Sequence, residues 1–553
     1  MKLKRIAIAS MAVLALAACN KKQDVNPEGP KNGTYAQITF KESLRADPSE
    51  GQNNAPGTEG ETKVARAIFL TEDASNTDAM STEVSPFTPG AGEEEKSYQS
   101  DAFLYAGATG PNVKTALVVN GFPLSGADLR ADYPIALKKG DTTMAKYTKA
   151  SEFIMSTPSN IEQDIKADVA KDAVADGNNR FTYTVERVAA KLQVTQPTGG
   201  FTVNEMSAAN DNTIKYVGDF SDVRYALAGG AMKSYLFADK AGKRELSQAN
   251  ASEPFKYEGF KSIIDGNVGT TGTGANITWR KDIQKVSDLV LHTHSADTKF
   301  ATLNSLPLNK QASADDLKKS LDADGIFFFE NSLSGAIMMH DIAHAKIYAN
   351  FTPKTGMTVY KVNAAKDGVE AGGDLTVERS DEVAVTKEWV AGLKAEKKTE
   401  LTQAGTLTGN DTDGWKLKMT IAKGSFFVGK TTGKVYETLS AARLDGNKKS
   451  QLYKGGRMFW EVPANKQMVE NKVYADTRRN NIYSLEVKSI SGLGDNWDNS
   501  DPDDPNIPKP NPEDNPDEPD KPTPTPIIPK YNHIQVAVKI LQWNLVHRGL
   551  DLK

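Results

Sequence analysis

The chain has 553 residues, of which 39% are hydrophobic and 25% charged. This balance is typical of a folded protein, and the length allows two or more domains, each with its own core. The 67 basic and 71 acidic residues leave a net charge of -4 without a basic stripe, which excludes nucleic acid as an expected partner.

The N-terminus has the pattern of a lipoprotein export signal. A basic start (Lys2, Lys4, Arg5) precedes a small and apolar run over residues 6–18, which is too short to span a membrane. The run leads into Cys19, the only cysteine of the chain, where a lipoprotein signal peptidase requires one. We expect lipidation at Cys19 and membrane contact only as the lipidated precursor. The alternative is an ordinary secretory signal with an incidental cysteine.

A first strand is predicted just beyond a polar tether. Within Tyr35–Leu44, Ile38 and Phe40 alternate with polar residues, which is typical of a β-strand with one buried face.

Arg45 and Ala46 follow this strand and open a polar stretch rich in Gly, Pro, Asn and Glu that extends to residue 62. An arginine in such a stretch is an accessible target for an Arg-specific protease. A cut at this bond would separate the first strand from the rest of the chain. The alternative is a solvated arginine in a linker.

Short β-like runs broken by turn residues continue to Ile490 and predict an all-β protein with short helical insertions. Predicted strands include Val64–Leu70, Phe181–Gln193 and Arg479–Ile490, and the spacing of isoleucine and valine predicts a helix over Ser159–Ala175. The expected organisation is a signal peptide (1–18), a lipidated pro-segment (19–45), two β-sandwich domains (46–190 and 191–500), an arm (501–530) and a final strand (531–553).

The arm and the final strand are the most unusual part of the chain. Residues 501–529 hold eleven of the 26 prolines, so this segment forms neither helix nor sheet and reaches up to ~90 Å when extended. Beyond it, apolar residues alternate and then shift phase by one residue, which indicates a bulge or a crossing from one groove to another. They are Ile534, Val536, Val538, Ile540, Leu541, Trp543 and Leu545.

An apolar strand at the end of a proline arm must be covered. Two arrangements are open from the sequence. The strand folds back onto its own domain, or it adds to the sheet of a neighbouring subunit as a donor strand. A head-to-tail contact of the second kind repeats into an open filament.

Several patches resemble the type V fimbrillins of the Bacteroidales. They are residues 114–120, 185–187, 349–354 and 479–483, the proline arm, and residues 541–553. The resemblance implies two β-sandwich domains of the transthyretin-like fimbrillin kind, lipoprotein export, and removal of the pro-segment by an Arg-specific protease at Arg45–Ala46. A second pair, Arg66–Ala67, lies in a predicted strand, so we expect the cut at Arg45.

The function that this resemblance implies is that of a shaft subunit of a cell-surface fimbrium that supports adhesion and biofilm formation. The implied partners are identical subunits, accessory anchor and tip subunits, the maturing protease, and host or bacterial surface proteins. An accessory anchor or tip subunit and a monomeric surface lipoprotein that binds glycan or peptide are the alternatives.

Chemistry at a catalytic or metal site is not expected. The pairs His292/His294 and His340/His344 have spacings that suit a metal, but no motif supplies further ligands, so ordinary buried or surface histidines are the alternative that we prefer. The sequence has no nucleophile elbow and no phosphate-binding loop. We therefore expect no enzyme activity, no metal and no cofactor.

Overall fold

The computed structural model describes residues 33–42, 54–56, 59–72, 79–89, 97–121, 134–136, 146–149, 151–158, 160–195, 206–208, 211, 213–228, 233–237, 301–302, 325–330, 342–465, 467–469, 472–474, 477–496, 516 and 534–544. Strands dominate these residues and the helices are short, which confirms the expected all-β fold with short helical insertions. None of the helices in these ranges is long and apolar enough to cross a membrane.

The strands of the first part of the chain are β1 (Thr34–Glu42), β2 (Asn54–Pro56), β3 (Ala67–Glu72), β4 (Ala79–Val84), β5 (Phe87–Pro89), β6 (Ser97–Ser100), β7 (Phe103–Tyr105), β8 (Gly110–Val119), β9 (Pro134–Ala136), β10 (Met155–Ser156), β11 (Ile161–Ile165) and β12 (Arg180–Arg187). A four-residue helix, Glu59–Thr62, precedes β3.

Most of these strands belong to one sheet that folds over on itself. Its order is β4-β3-β8-β10-β12-β1-β6-β5, with β11 added to β8 and β7 added to β1. The ring of Phe69 on β3 lies 5.9 Å from that of Phe181 and 6.1 Å from that of Tyr183, both on β12. Because β3 and β12 are not neighbours in the sheet, these contacts place the two halves face to face around one core.

The strand β3 is buried on both faces. Ala67 and Phe69 belong to the core inside the folded sheet, whereas Ile68 and Leu70 belong to the large core of the next part of the chain. A continuous apolar run is the expected sequence of a strand covered on both sides. The first sandwich is therefore packed against the second part through this strand and through β8, which is divided between the two cores in the same way.

The second part holds β13 (Ala190–Thr195), β14 (Met206–Ser207), β15 (Lys215–Tyr216), β16 (Gly218–Ala228), β17 (Lys233–Tyr235), β18 (Ala301–Thr302), β19 (Ile326–Phe328), β20 (His344–Pro353), β29 (Arg457–Pro463), β30 (Gln467–Val469), β31 (Lys472–Tyr474), β32 (Asn481–Ile490) and β33 (Ile534–Asn544). One sheet has the order β19-β13-β32-β33-β2 and the other β18-β16-β20-β29. Residues of both sheets, such as Leu485 and Trp460, share one core.

Between β20 and β29 the chain makes an insertion with a core of its own. Its strands are β21 (Val359–Asn363), β22 (Gly368–Ala371), β23 (Arg379–Val385), β24 (Leu407–Asn410), β25 (Gly414–Ile421), β26 (Phe426–Gly429), β27 (Val435–Tyr436) and β28 (Ser450–Tyr453), and its helices are Lys387–Gly392, Ala395–Gln403 and Leu439–Leu444. The sequence did not predict this insertion.

The helix predicted over Ser159–Ala175 is wrong. Residues Ile161–Ile165 form β11, which pairs with β8, and only Asp172–Val174 make a short 3₁₀ turn. Ile161 and Ile165 are four residues apart, a spacing that puts them on the same face of either a strand or a helix. Pairing with the edge of β8 stabilises the strand.

Candidate assembly site at the first and last strands

The first strand, β1, is a central strand of the folded sheet. It pairs in parallel with β12 from Gln37 opposite Arg180 to Glu42 opposite Val185. Its other edge pairs with β6 and, nearer its start, with β7. The predicted strand Tyr35–Leu44 thus agrees closely with the observed β1.

The inward side chains of β1 are completely buried. Ala36, Ile38 and Phe40 all have 0% exposure. The ring of Phe40 lies 5.3 Å from that of Tyr98 and 5.2 Å from that of Phe87. Burial of three apolar side chains in alternating positions makes β1 a part of the core and not a covering strand.

The start of β1 is fixed by hydrogen bonds outside the regular ladder. The backbone N–H of Tyr35 donates to the carbonyl oxygen of Val169 at 2.8 Å, and that of Asp168 donates to Oγ1 of Thr34 at 2.8 Å. Withdrawal of β1 would leave a long apolar groove with unpaired backbone groups on both sides, which is a ready acceptor for another strand.

The last strand, β33, lies within the same chain. It pairs antiparallel with β32 at nine positions, from Ile534 opposite Ile490 to Gln542 opposite Asn481. Its other edge pairs in parallel with β2. In the single chain the tail therefore folds back, which is one of the two arrangements that the sequence left open.

The predicted bulge is displaced. The strand β33 runs without interruption through Ile540 and Leu541, and the register shift lies instead on β32 between Val487 and Ser489. An extra residue on the partner strand changes the register as effectively as one on β33.

Burial differs between the two strands. On β33, Val536 and Val538 are only partly buried against the large core, in contrast to the complete burial of the three inward residues of β1. Ile534, Ile540, Leu541 and Trp543 belong to β33 by register. Cys19, Arg45, Ala46 and Leu545 lie outside the described residues.

The second Arg-Ala pair is held in ordered structure. The carbonyl oxygen of Arg66 accepts from the N–H of Asn120 at 2.8 Å, and its Nη2 donates to the carbonyl oxygen of Gly121 at 3.2 Å. Ala67 begins β3 and has 0% exposure. A protease needs extended, accessible backbone, and the bond between Arg66 and Ala67 does not provide it.

A buried polar network that the sequence did not predict joins the two parts of the chain. Nζ of Lys191 lies 3.0 Å from Oε1 of Glu61, and the two side chains have 2% and 9% exposure. Nη2 of Arg479 lies 2.6 Å from Oε1 of Glu330, again with both side chains buried. Nη1 of Arg187 donates to Oδ1 of Asn480 at 3.2 Å. Arg187 and Arg479 lie in patches of family resemblance, but nothing in the sequence assigns their partners.

The histidines do not form a metal site within the described residues. His344 is buried, its Nδ1 lies 2.8 Å from the carbonyl oxygen of Ile342, and its Nε2 lies 3.8 Å from Oε1 of Glu461. His292, His294 and His340 lie outside the described residues. No group of three or more His, Cys, Asp or Glu side chains suited to a metal is found in the described ranges.

Fold and site together define an all-β protein whose last strand lies between β32 and β2 in a sheet of the C-terminal part. Residues 451–548, which include β29, β32 and β33, match the family described as major fimbrial subunit protein type IV, fimbrillin, C-terminal. Over these residues the chain is similar to the C-terminal part of fimbrillins, which agrees with the family resemblance drawn from the sequence patches.

Solved structures with a similar trace have low identity. A putative cell adhesion protein from Parabacteroides distasonis has 12% identity and a TM-score of 0.41, covering 94% of this chain and 100% of that one. The tip fimbrial protein Mfa3 from Porphyromonas gingivalis has 11% identity and a TM-score of 0.31, covering 92% and 100%. A fimbrilin from Porphyromonas gingivalis W83 has 14% identity and a TM-score of 0.33, covering 93% and 99%. No curated protein matches the chain significantly.

Proposed function

We propose that this protein is the structural shaft subunit of a cell-surface fimbrium, similar to the minor fimbrium shaft subunit of Porphyromonas gingivalis. It is exported as a lipoprotein through Cys19, matured by an Arg-specific protease at Arg45–Ala46, and polymerised when the tail of one subunit replaces β1 of the next. The fibre supports adhesion and biofilm formation, with accessory anchor and tip subunits at its ends.

The position of β1 carries this proposal. A central strand with fully buried inward side chains is attached to the rest of the chain only through the residues that follow Glu42, among them Arg45. One cut therefore detaches it covalently while every other strand keeps its connection. The detached strand can then leave a groove that retains its shape, because β12 is also paired with β10 and β6 is also paired with β5.

The tail has the length and pattern to fill that groove. β33 has 11 residues and β1 has 9. Apolar residues of the tail alternate, as Ala36, Ile38 and Phe40 do in β1. Val536 and Val538 are partly exposed in the folded-back position, so transfer to a fully enclosed groove increases their burial, and full burial of a valine is worth about 1.5–3 kcal/mol.

A second candidate, a monomeric surface lipoprotein, is favoured by the pairing of β33 with β32 in the same chain. In that case the tail is a permanent strand of its own domain. An anchor subunit is the third candidate, and it would retain its lipidated N-terminus.

The deciding experiment compares fibres from cells that express the wild-type chain, a chain lacking residues 534–553, or the substitution Val538→Asp. The matched control is Thr420→Asp, which places the same charge on an exposed position of β25. The proposal expects fibres whose subunits begin at Ala46 from the wild type and the control, and none from the two tail variants. Fibres from the truncated chain, or surface subunits that begin at Cys19, would contradict it.

A further inference from the structure

The outer edge of the tail is covered by a strand from the other end of the chain. β2 pairs in parallel with β33, with Asn54 opposite Gln542 and Pro56 opposite Asn544. On the other edge of β33, Gln542 is paired with Asn481 of β32. This part of the tail thus lies between two strands and cannot leave the sheet until its pairings with both β2 and β32 are broken.

The downstream end of β2 is firmly anchored. Only two residues separate it from the helix Glu59–Thr62, in which Glu61 makes the buried ion pair with Lys191. Nη2 of Arg187 also donates to the carbonyl oxygen of Glu61 at 3.4 Å, and the hydroxyl of Tyr98 donates to that of Thr62 at 3.1 Å. This anchor lies in the residues that remain after a cut at Arg45.

The upstream end of β2 is anchored through β1. The chain passes from Glu42, the last residue of β1, to Asn54 through residues 43–53, and Arg45 lies among them. Before a cut, β2 is therefore connected through the chain to packed elements at both ends, and afterwards at one end only.

β2 itself contributes little hydrogen bonding. It has three residues, and Pro56 has no N–H to donate. A short segment of this kind stays in place mainly because both ends are held close to its binding position, which raises its effective concentration there. Loss of one end lowers that concentration without removing a single contact.

We propose that β2 is an autoinhibitory strap over the donor strand and that the cut at Arg45 loosens it. This inference rests on the proposed function and adds to it that one cleavage opens the acceptor groove of a subunit and also releases the tail of that same subunit. An unprocessed subunit then neither accepts a donor strand nor donates its own tail, so the fibre grows from processed chains alone.

Hydrogen exchange tests the strap directly. The rate of amide exchange in tail residues 534–544 is compared between the uncut and the cut wild type, with the protease-treated Arg45→Ala chain as control. Two further samples are the uncut Ala55→Pro and Asn54→Pro chains, in which β2 cannot pair. Exchange of the tail is expected to be at least about fivefold faster in the cut chain and in both proline variants, with the insertion strand β25 as the unchanged reference. Equal tail exchange in the cut and uncut chains would overturn the proposal.

A reversible crosslink provides the second test. The double variant Asn54→Cys with Gln542→Cys joins paired positions, whose Cα atoms in neighbouring strands lie within the roughly 4.4–6.8 Å that a disulfide spans. Cys19, the only native cysteine, leaves with the pro-segment, so no other thiol competes in the cut chain. The oxidised, cut chain should form no fibres and should recover on reduction, with each single-cysteine variant as control. Fibres from the oxidised chain at the rate of the reduced one would refute the strap.

The two proposals fail separately. If cut chains lacking residues 534–553 form fibres, the tail is not the donor and the proposed function fails, whatever the exchange rates are. If those chains form none while the crosslinked chain polymerises normally, the proposed function stands and the strap is wrong.

Discussion

Lys191 and Glu61 form a buried ion pair, with Nζ and Oε1 3.0 Å apart, that ties the residues before β3 to the strand that opens the second part of the chain. The Lys191 ammonium also lies 5.6 Å from the centre of the Phe327 ring. Removal of the carboxylate takes the paired negative charge away from a buried ammonium. We predict that Glu61→Ala lowers the free energy of unfolding by about 3–5 kcal/mol, measured by urea denaturation of the mature chain.

The exposed pair Lys149–Glu152, with Nζ and Oε2 2.8 Å apart, is the matched control. Water and salt screen such a pair, so Glu152→Ala should leave the denaturation midpoint unchanged. Equal midpoints for Glu61→Ala and the wild type would show that the buried pair does not stabilise the junction.

Phe40 and Phe69 have equal burial in the same core, but the proposed cut at Arg45 would release only Phe40. Both have 0% exposure, and Phe40 lies on β1 whereas Phe69 lies on β3. Truncation of either to alanine should destabilise the uncut precursor by about 3–5 kcal/mol. In assembled fibres, only Phe69→Ala should lower the temperature of dissociation, because β1 is no longer present.

Thermal dissociation of purified fibres, followed by light scattering, measures this difference. Fibres from Phe40→Ala that dissociate at the lower temperature of the Phe69→Ala fibres would mean that β1 stays in the assembled subunit.

Local patterns predicted the two strands of the assembly site. The alternation of Ile38 and Phe40 placed β1 to within two residues of its observed end, and the alternation from Ile534 placed β33. Both strands are flanked by polar or proline-rich segments that delimit them. The match of residues 541–553 to family patterns could not decide whether the tail pairs within the chain or between chains.

Contacts that depend on distant residues were not predictable. β2 lies in a polar stretch without apolar alternation and is a strand only because the edge of β33 is available to it. Glu61 has no local feature that marks it as buried, and its partner is 130 residues away. The helix expected at residues 159–175 failed for the same reason, since the edge of β8 selected the strand.

The phenol of Tyr183 can report whether the groove is open. Tyr183 lies on β12 opposite Phe40 of β1, and its hydroxyl donates to Oγ1 of Thr115 at 2.8 Å. Burial raises the pKa of Tyr183 well above the ordinary value of about 10, because the phenolate is poorly solvated there. Departure of β1 should admit water and lower this pKa toward the ordinary value.

Ultraviolet titration of the phenolate, with Tyr183→Phe subtracted, measures the change. Because the pKa of Tyr183 is higher in the folded chain than in the unfolded chain, the tyrosine contributes to the free energy of unfolding. This contribution is complete below the pKa of the unfolded chain and is lost as the pH rises toward the pKa of the folded chain. The uncut precursor should therefore lose stability above pH ~10 in a way that Tyr183→Phe does not. A Tyr183 titration that is identical in uncut chains and cut monomers would exclude an open groove.

Arg45 and Arg66 offer the maturing protease two bonds of the same type in different surroundings. The bond after Arg66 is inaccessible to a protease, because the carbonyl oxygen of Arg66 accepts a hydrogen bond from Asn120 and Ala67 is completely buried. A cut there would also remove Glu61 and with it the carboxylate that pairs with the buried Lys191. We predict that Arg45→Ala abolishes maturation and fibre formation, whereas Arg66→Ala leaves both intact. N-terminal sequencing of fibre subunits checks this: a mature chain that begins at Ala67 would refute both the choice of bond and the role of Glu61 in anchoring the strap.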